Sequence, residues 1–457
     1  MKRLLTLVLT LAATLAHAQS SPWTLADCTQ YALEHNISVK QTSLSVEQSE
    51  IQLHSARSAA LPGASAGASE SFDFGRGLTS DNTYTHNNTT MTSFSVGAQM
   101  PLFQGFTIRN NIALSRLNLE AATMELEKAR DDIRVAVAQA YVQILYNMAI
   151  VDVARNQTAV DSLQVERLLA MNENGKASAA EVSAQQATLA QSLYTLTQAE
   201  GNLRLAILDL TQLLELPSPE GFRIAVPQQG DVDDAALPTP DVIYAEAMMV
   251  KPSIRSEQIR LQAAEKSIDI ARGGYLPSLS LSGGFGSAFY SVSNAAAPSF
   301  GTQLKDNFSP SLGLSLSIPI FSRFSTRNNV RSARLSYQGQ QLQLENAGKM
   351  LYKEIQQAYY NATTARSRYE ASQAAAESAQ KAFDTMNARY ENAKANITEW
   401  NEAKNRLISA SSDLVQARYQ YLYQTRLLDF YRGQDIRFRP HRSGNEGVPF
   451  RNIIPPL

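Results

Sequence analysis

Leu312-Gly313-Leu314-Ser315-Leu316-Ser317-Ile318-Pro319-Ile320 alternates branched apolar residues with small or polar ones. Successive residues of a strand point to opposite faces, so this stretch has one greasy face and one small, polar face. Three other segments read the same way. Leu279, Leu281, Phe285 and Phe289 alternate with Ser280, Ser282, Gly284 and Gly286, and Phe94, Val96, Ala98, Met100 and Leu102 alternate with Ser95, Gly97 and Gln99. Ala64, Ala66, Ala68, Glu70, Phe72 and Phe74 keep the parity more weakly. Strands are therefore expected over 64–75, 92–102, 278–290 and 310–321, joined in pairs by polar loops at 76–90 and 291–308. Period-two segments of about ten residues with such loops are the signature of a membrane β-barrel, whereas a soluble sandwich would need more strands than four. Glu70 falls on the apolar parity, so it should lie near the rim, or the register slips. Four strands cannot close a barrel, and an open edge in lipid leaves backbone groups without partners. The barrel must be shared, and two, three or four copies would satisfy strand number alone.

On either side of these strands the period changes to seven. Ile112, Leu119, Leu126, Ile133 and Ala140 recur in a proline-free stretch, followed after a break at 172–175 by Val182, Leu189, Leu196, Leu203 and Leu210. The same register returns 218 residues later as Val330, Tyr337, Leu344, Leu351 and Ala358, then Trp400, Leu407, Leu414, Tyr421 and Leu428. A sustained heptad means a helix wound against neighbours, so antiparallel helical hairpins are expected over 108–214 and 326–432. At about 1.5 Å per residue a 64-residue helix is on the order of 95 Å long, far more than a globular core needs. Shorter helices are expected over 24–60 and 240–275.

The correspondence extends to individual residues. Arg57 and Leu61-Pro62 recur as Arg272 and Leu276-Pro277, and Pro101, Phe103, Phe106, Arg109, Asn110 and Asn111 recur as Pro319, Phe321, Phe324, Arg327, Asn328 and Asn329. One supersecondary unit used twice accounts for this. The first repeat is placed at 19–220, a linker at 221–239, the second repeat at 240–432 and an irregular tail at 433–457.

Lys2-Arg3, the apolar run Leu4 to Leu15 and Ala16-His17-Ala18 form a secretory leader at 1–18, and no later run of eighteen apolar residues follows. Removing Lys2 and Arg3 takes the basic count from 41 to 39 against 42 acidic side chains, a net charge of −3 that gives no footing for nucleic acid. Cys28 is the only cysteine, which excludes an intrachain disulfide. His35, His54, His86 and His441 are scattered without ligand spacing, so no metal, cofactor or catalytic group is expected, and the chain does not read as an enzyme. Gly283-Gly284-Phe285-Gly286 reads as strand glycines rather than a phosphate loop, because no helix begins there.

The order of these features resembles the outer membrane efflux protein family, the TolC-like channels. Its carriers are Thr24-Leu25 with Ala32-Leu33 and Asn36, the Arg-x-x-x-Leu-Pro entry into each first strand, and the Pro-Leu-Phe and Pro-Ile-Phe exits into each long helix. The resemblance covers essentially the whole chain after the leader. It implies a homotrimer with a twelve-stranded barrel in outer-membrane lipid and a helical α-barrel in the periplasm. It further implies an exit duct serving a tripartite efflux pump or a type I secretion system, joined by a periplasmic adaptor to an inner-membrane transporter of RND or ABC type.

The family's hairpin tips carry an Arg-Tyr-x-x-Gly turn that this chain divides. The first tip keeps Gly175 behind Met171-Asn172, and the second keeps Arg389-Tyr390 but has Ala393 in place of glycine. Adaptor contacts are accordingly expected at Asn174, Gly175, Lys176, Asn392, Ala393 and Lys394. By the same resemblance Glu399 and Glu402 would form acidic rings at a periplasmic constriction, and Tyr390 would latch to an acidic partner in the neighbouring hairpin, where Glu181 sits. The basic residue expected beside that latch is Ala395 here. A rival reading is a periplasmic structural or adhesive coiled coil without channel activity, with Glu399 and Glu402 as ordinary solvated positions.

Overall fold

The computed structural model describes residues 22–78, 82–86, 88–227, 237–293, 297–392 and 394–438. The leader at 1–18, part of the 221–239 linker, most of the 433–457 tail and Ala393 lie outside the described residues. The chain forms two compact units.

The first unit holds the described residues up to Ser43, Glu125–Ser253 and those from Ala347 onward. It opens with α1 (Leu25–His35) and the start of α2 (Ile37–Ser58), so the helix expected over 24–60 is two helices. Asn36 makes the break. Its backbone turns to ψ 131°, its amide donates 3.0 Å to the Leu213 carbonyl and its Oδ1 accepts from Ser38 N–H at 2.9 Å. Two longer helices follow, α3 (Thr107–Glu173, 67 residues) and α4 (Ala179–Leu213, 35 residues). The helix expected over 240–275 is likewise split, into α5 (Pro240–Val250) and α6 (Pro252–Gly273), most of which belongs to the second unit. There Pro252 forces Lys251 out of the helical region. The last helices among the described residues are α8 (Ser325–Glu391, 67 residues) and α9 (Ile397–Tyr431, 35 residues), and α7 is introduced with the strands below. The paired helices match in length throughout: 11 residues for α1 and α5, and 22 for α2 and α6.

The core of this unit packs Leu25, Cys28 and Ala32 of α1 against Val137, Tyr141, Ile144 and Leu145 of α3, Leu210 of α4, and Val415 and Leu422 of α9. Tyr141 donates its hydroxyl to the Ala225 carbonyl, beside a parallel bridge between Trp23 and Ile224. Burial pushes the Cys28 thiol up to about 12, so it packs as a small apolar residue. One window of α3 is long and apolar enough to cross a membrane by length and composition, but half of it is buried inside the protein.

The second unit comprises Leu44–Met124 and Ile254–Asn346. Its strands are β1 (Gly63–Asp73), β2 (Arg76–Leu78), β3 (Tyr84–His86), β4 (Thr89–Gln104), β5 (Ser278–Val292) and, after the short α7 (Phe300–Asp306), β6 (Ser309–Ser317). Four of them make an antiparallel sheet in the order β1-β4-β5-β6, while β2 and β3 pair separately. Opposed residues share a face. One face therefore carries Ala66, Ala68, Phe94, Val96, Leu281, Phe285, Leu312, Leu314 and Leu316, and the other carries Ser65, Ser95, Gln99, Ser280, Ser282 and Ser315. Glu70 pairs with Thr92 without a register slip, three residues from the end of β1.

Among the described strands the register breaks in one place. Pro101 lies opposite Ser280 and Phe103 opposite Leu279, so Leu102 is the extra residue of a bulge and Phe103 continues the apolar face in its stead. A proline in a central strand is accommodated at such a bulge. On the edge strand, β6 stops at Ser317, short of the expected 321, where Pro319 removes a donor. Beyond Gly286, where β6 no longer pairs with it, the free edge of β5 is covered by α7. Gln303 is buried there and bonds both backbone groups of Tyr290 at 2.9 Å.

Each sheet exit into a long helix turns through two residues with positive φ, Gly105-Phe106 and Arg323-Phe324. The same edge-to-face aromatic pair closes both, Phe103 on Phe106 at 5.1 Å and Phe321 on Phe324 at 5.6 Å. Gly105 is required at the first, because a Cβ there would lie 2.4 Å from the Gly273 carbonyl oxygen.

Candidate functional site: the hairpin tips

α3 ends at Glu173, and Gly175 at φ 67° reverses the chain. The reversal is held by Gly175 N–H donating to the Asn172 carbonyl and Lys176 N–H donating to Met171 at 2.8 Å. The Asn174 side-chain amide donates to the Ala170 carbonyl at 2.7 Å. At the second tip Lys394 N–H donates to Arg389 at 2.8 Å and the Asn392 amide to Ala388 at 2.7 Å. The two tips thus close with the same five-residue backward bond, although glycine stands in only one.

Both descending helices begin with a capping box. Ser178 and Glu181 cap α4, with the Ser178 N–H donating to Glu181 Oε2 at 2.7 Å. Those hydrogen bonds, the backbone one foremost, hold the Glu181 carboxyl below the usual carboxylate range. Asn396 and Glu399 cap α9 with reciprocal hydrogen bonds of 2.8 and 3.1 Å. Glu402, one turn on, is exposed and pairs with Arg406 at 2.5 Å.

The expected link between Tyr390 and Glu181 is not made within the chain. Tyr390 Oη accepts from Gln164 Nε2 at 2.6 Å, and the Arg167 guanidinium lies 5.1 Å over its ring. Glu181 is committed to its own cap, which orients its carboxylate along the first turn of α4 instead of toward the second hairpin. Tyr390 also packs on Trp400 at 5.8 Å, within a cluster of Phe383, Trp400 and Leu407. The Trp400 Nε1–H donates to Asn387 Oδ1 at 2.8 Å.

A second cluster joins the hairpins, and the heptad reading missed it. Asp161 of α3 and Lys404 of α9 form an ion pair with both side chains fully buried. Asp161 also accepts from Ser192 Oγ and, at 3.3 Å, from Gln185 Nε2 on α4. Gln185, Ser192, Ala199 and Ala206 are more tightly buried than the apolar heptad positions Leu189 and Leu196. The available signal was small and uncharged polar residues three places after each heptad position, a spacing that shares a helix face. Among the described residues no group of His, Cys, Asp and Glu is placed to hold a metal ion.

Comparison with known proteins decides the family. The sequence profile of the family described as "Outer membrane efflux protein" matches residues 29–215 and again 243–434. The chain belongs to the outer membrane efflux protein family. It is 24% identical over 430 residues to the outer membrane protein TolC of Escherichia coli, covering 92% of this chain and 84% of that one. To the outer membrane protein OprJ of Pseudomonas aeruginosa it is 25% identical over 386 residues, covering 82% and 76%. Among solved structures, the Campylobacter jejuni CmeC outer membrane channel superposes with a TM-score of 0.75 at 18% identity, over 94% of this chain and 88% of that one, which shows the shared fold. As a member of this family the protein is an efflux channel of the outer membrane with its helical part in the periplasm.

Proposed function

We propose that three copies of the chain join their four-stranded sheets into one twelve-stranded barrel and conduct cargo passively across the outer membrane. The open sheet carries this reading: among the described residues β1 and β6 each have a strand partner on one side only, and the face of Leu312, Leu314, Leu316, Phe285 and Val96 is exposed. In hydrocarbon a closed barrel is the arrangement that satisfies such edges. Heptad-spaced apolar residues left exposed on helices, Ile37, Leu44 and Ile51 on α2 and Leu335 and Leu342 on α8, favour packing between copies of the helical part as well.

The equal helix lengths and the twice-matched family profile support a tandem repeat, 19–220 and 240–432, behind a leader at 1–18. In this reading the channel is the outer-membrane member of a tripartite efflux pump or type I secretion system. A periplasmic adaptor contacts the tips at Asn174, Gly175, Lys176, Asn392, Ala393 and Lys394 and joins them to an inner-membrane RND or ABC transporter. Glu399 and Glu402 supply threefold acidic rings that favour cations. Tyr390 and Glu181 flank that constriction, the former through Gln164 and the latter through its cap.

Planar-bilayer conductance of the detergent-purified protein, with native mass alongside, tests the reading. Discrete cation-preferring steps from a species three times the chain mass are expected; a monodisperse species that never conducts would overturn it in favour of a structural coiled coil. Glu402→Gln lowers the cation preference, read as a smaller reversal potential in a salt gradient. An unchanged potential removes Glu402 from the constriction.

A further inference from the structure

The buried Asp161–Lys404 pair distinguishes two hairpins that are otherwise alike. Counting 218 residues on, Asp161, Gln185 and Ser192 correspond to Ala379, Ala403 and Ala410, and counting 218 back, Lys404 corresponds to Gln186. The anion and its hydrogen-bond partners therefore occur in the first hairpin alone, and the cation in the second alone. Packing two first hairpins together would bury Asp161 without a cation, and packing two second hairpins would bury Lys404 without an anion. An uncompensated buried charge is strongly unfavourable, so only unlike hairpins pack well at this level. The network reaches further around the junction. Gln185 Oε1 accepts from Asn401 Nδ2 at 3.3 Å, and Lys404 Nζ lies 5.3 Å from the Trp400 ring centroid.

The same pair sets the rotation of α9. Trp400, Lys404, Leu407 and Ser411 all face inward. With 3.6 residues per turn, Glu402 lies roughly 160° and Glu399 roughly 140° round the helix from Lys404. We propose that Asp161 and Lys404 are positioning residues: a charge lock that selects the second hairpin as the partner of the first and turns Glu399 and Glu402 away from the helical interior. Their placement at a constriction rests on the channel reading; the lock does not.

The test uses the intact protein in detergent with three variants, Asp161→Asn, Lys404→Met and the charge reversal Asp161→Lys with Lys404→Asp. Amide hydrogen exchange is followed over 403–411 and reversal potential in a salt gradient. Both single variants should exchange about tenfold or more faster in that segment, as expected for a stranded buried partner. They should also lose about half of the cation preference, and the reversal should restore both. Wild-type exchange and potential in Asp161→Asn would overturn the lock. Where single variants fail to assemble, recovery by the reversal supports it, and failure of the reversal alongside assembly of the apolar pair Asp161→Leu with Lys404→Met overturns it. If no form of the protein conducts, the channel reading fails, and exchange over 403–411 still decides the lock.

Discussion

The first hairpin closes its interior near the tip with a carboxylate, a hydroxyl and an amide, Asp161, Ser192 and Gln185, whereas the second closes with Phe383, Trp400 and Leu407. Their backbones are alike: 67 residues up, 35 down, the same backward bond at the tip and a capping box after it. One backbone therefore accepts two interior chemistries, because helix length and turn geometry depend on local bonds while the interior depends only on what faces it. The polar interior is complete only because Lys404 reaches it from the other hairpin. The aromatic interior is drawn mainly from its own hairpin, including the Asn387 acceptor for Trp400, with Val160 of the first hairpin packed against it.

The largest effects should come from removing the centre of either interior. Trp400→Ala deletes a ring that packs on Phe383 and Tyr390 and leaves the Asn387 amide without its donor. It should cost about 3–5 kcal/mol in thermal or denaturant unfolding. An effect near zero would show that the aromatic interior is not what holds the second hairpin.

An apolar exchange goes further in breaking the comparison. Giving the first hairpin an apolar interior of similar volume, Asp161→Leu, Gln185→Leu and Ser192→Ala together with Lys404→Met, replaces a satisfied ionic network by apolar packing. Such exchanges range from neutral to stabilising by about 1–4 kcal/mol when packing is preserved. A loss as large as that of Trp400→Ala would mean that the polar interior supplies net stability rather than pairing choice.

The smallest effect sharpens the comparison of the caps. Ser178→Ala should cost about 1 kcal/mol. Because the Glu181 pKa is lowered in the fold, the cap contributes fully above the ordinary carboxylate value and is lost as pH falls through the lowered one. Protection of the amides at the first turn of α4, corrected for the intrinsic exchange rate, should therefore fall in acid in the wild type, and fall less in Ser178→Ala, which keeps only the backbone bond from residue 178 to Glu181.

What was legible in the sequence followed its periodicities. Strand parity is a near-neighbour property, and it placed Leu281, Phe285, Leu314 and Val96 on one face as observed. Heptads likewise placed the outer ends of the two hairpins, 108 and 214, 326 and 432, within one residue of the observed Thr107, Leu213, Ser325 and Tyr431. Parity failed at Leu102, where a bulge forced by register with β5 inserts one residue. Helix continuity failed at Asn36 and Lys251, the first because its side chain is bound to Leu213 far along the chain. The described tip residues lie at their turns, but the partner of Tyr390 was not legible, since Gln164 lies 226 positions away.

The sequence by itself determined the long helices, the two-faced sheet and the family, because each depends on repeats of two, seven and about 218 residues that are written along the chain. Only the tertiary structure decided which side chains close the interior. Asp161 and Lys404 are 243 positions apart and look like solvated helix residues until packing removes water from both. Burial is a property of the neighbours, and for these two charges no local pattern records it.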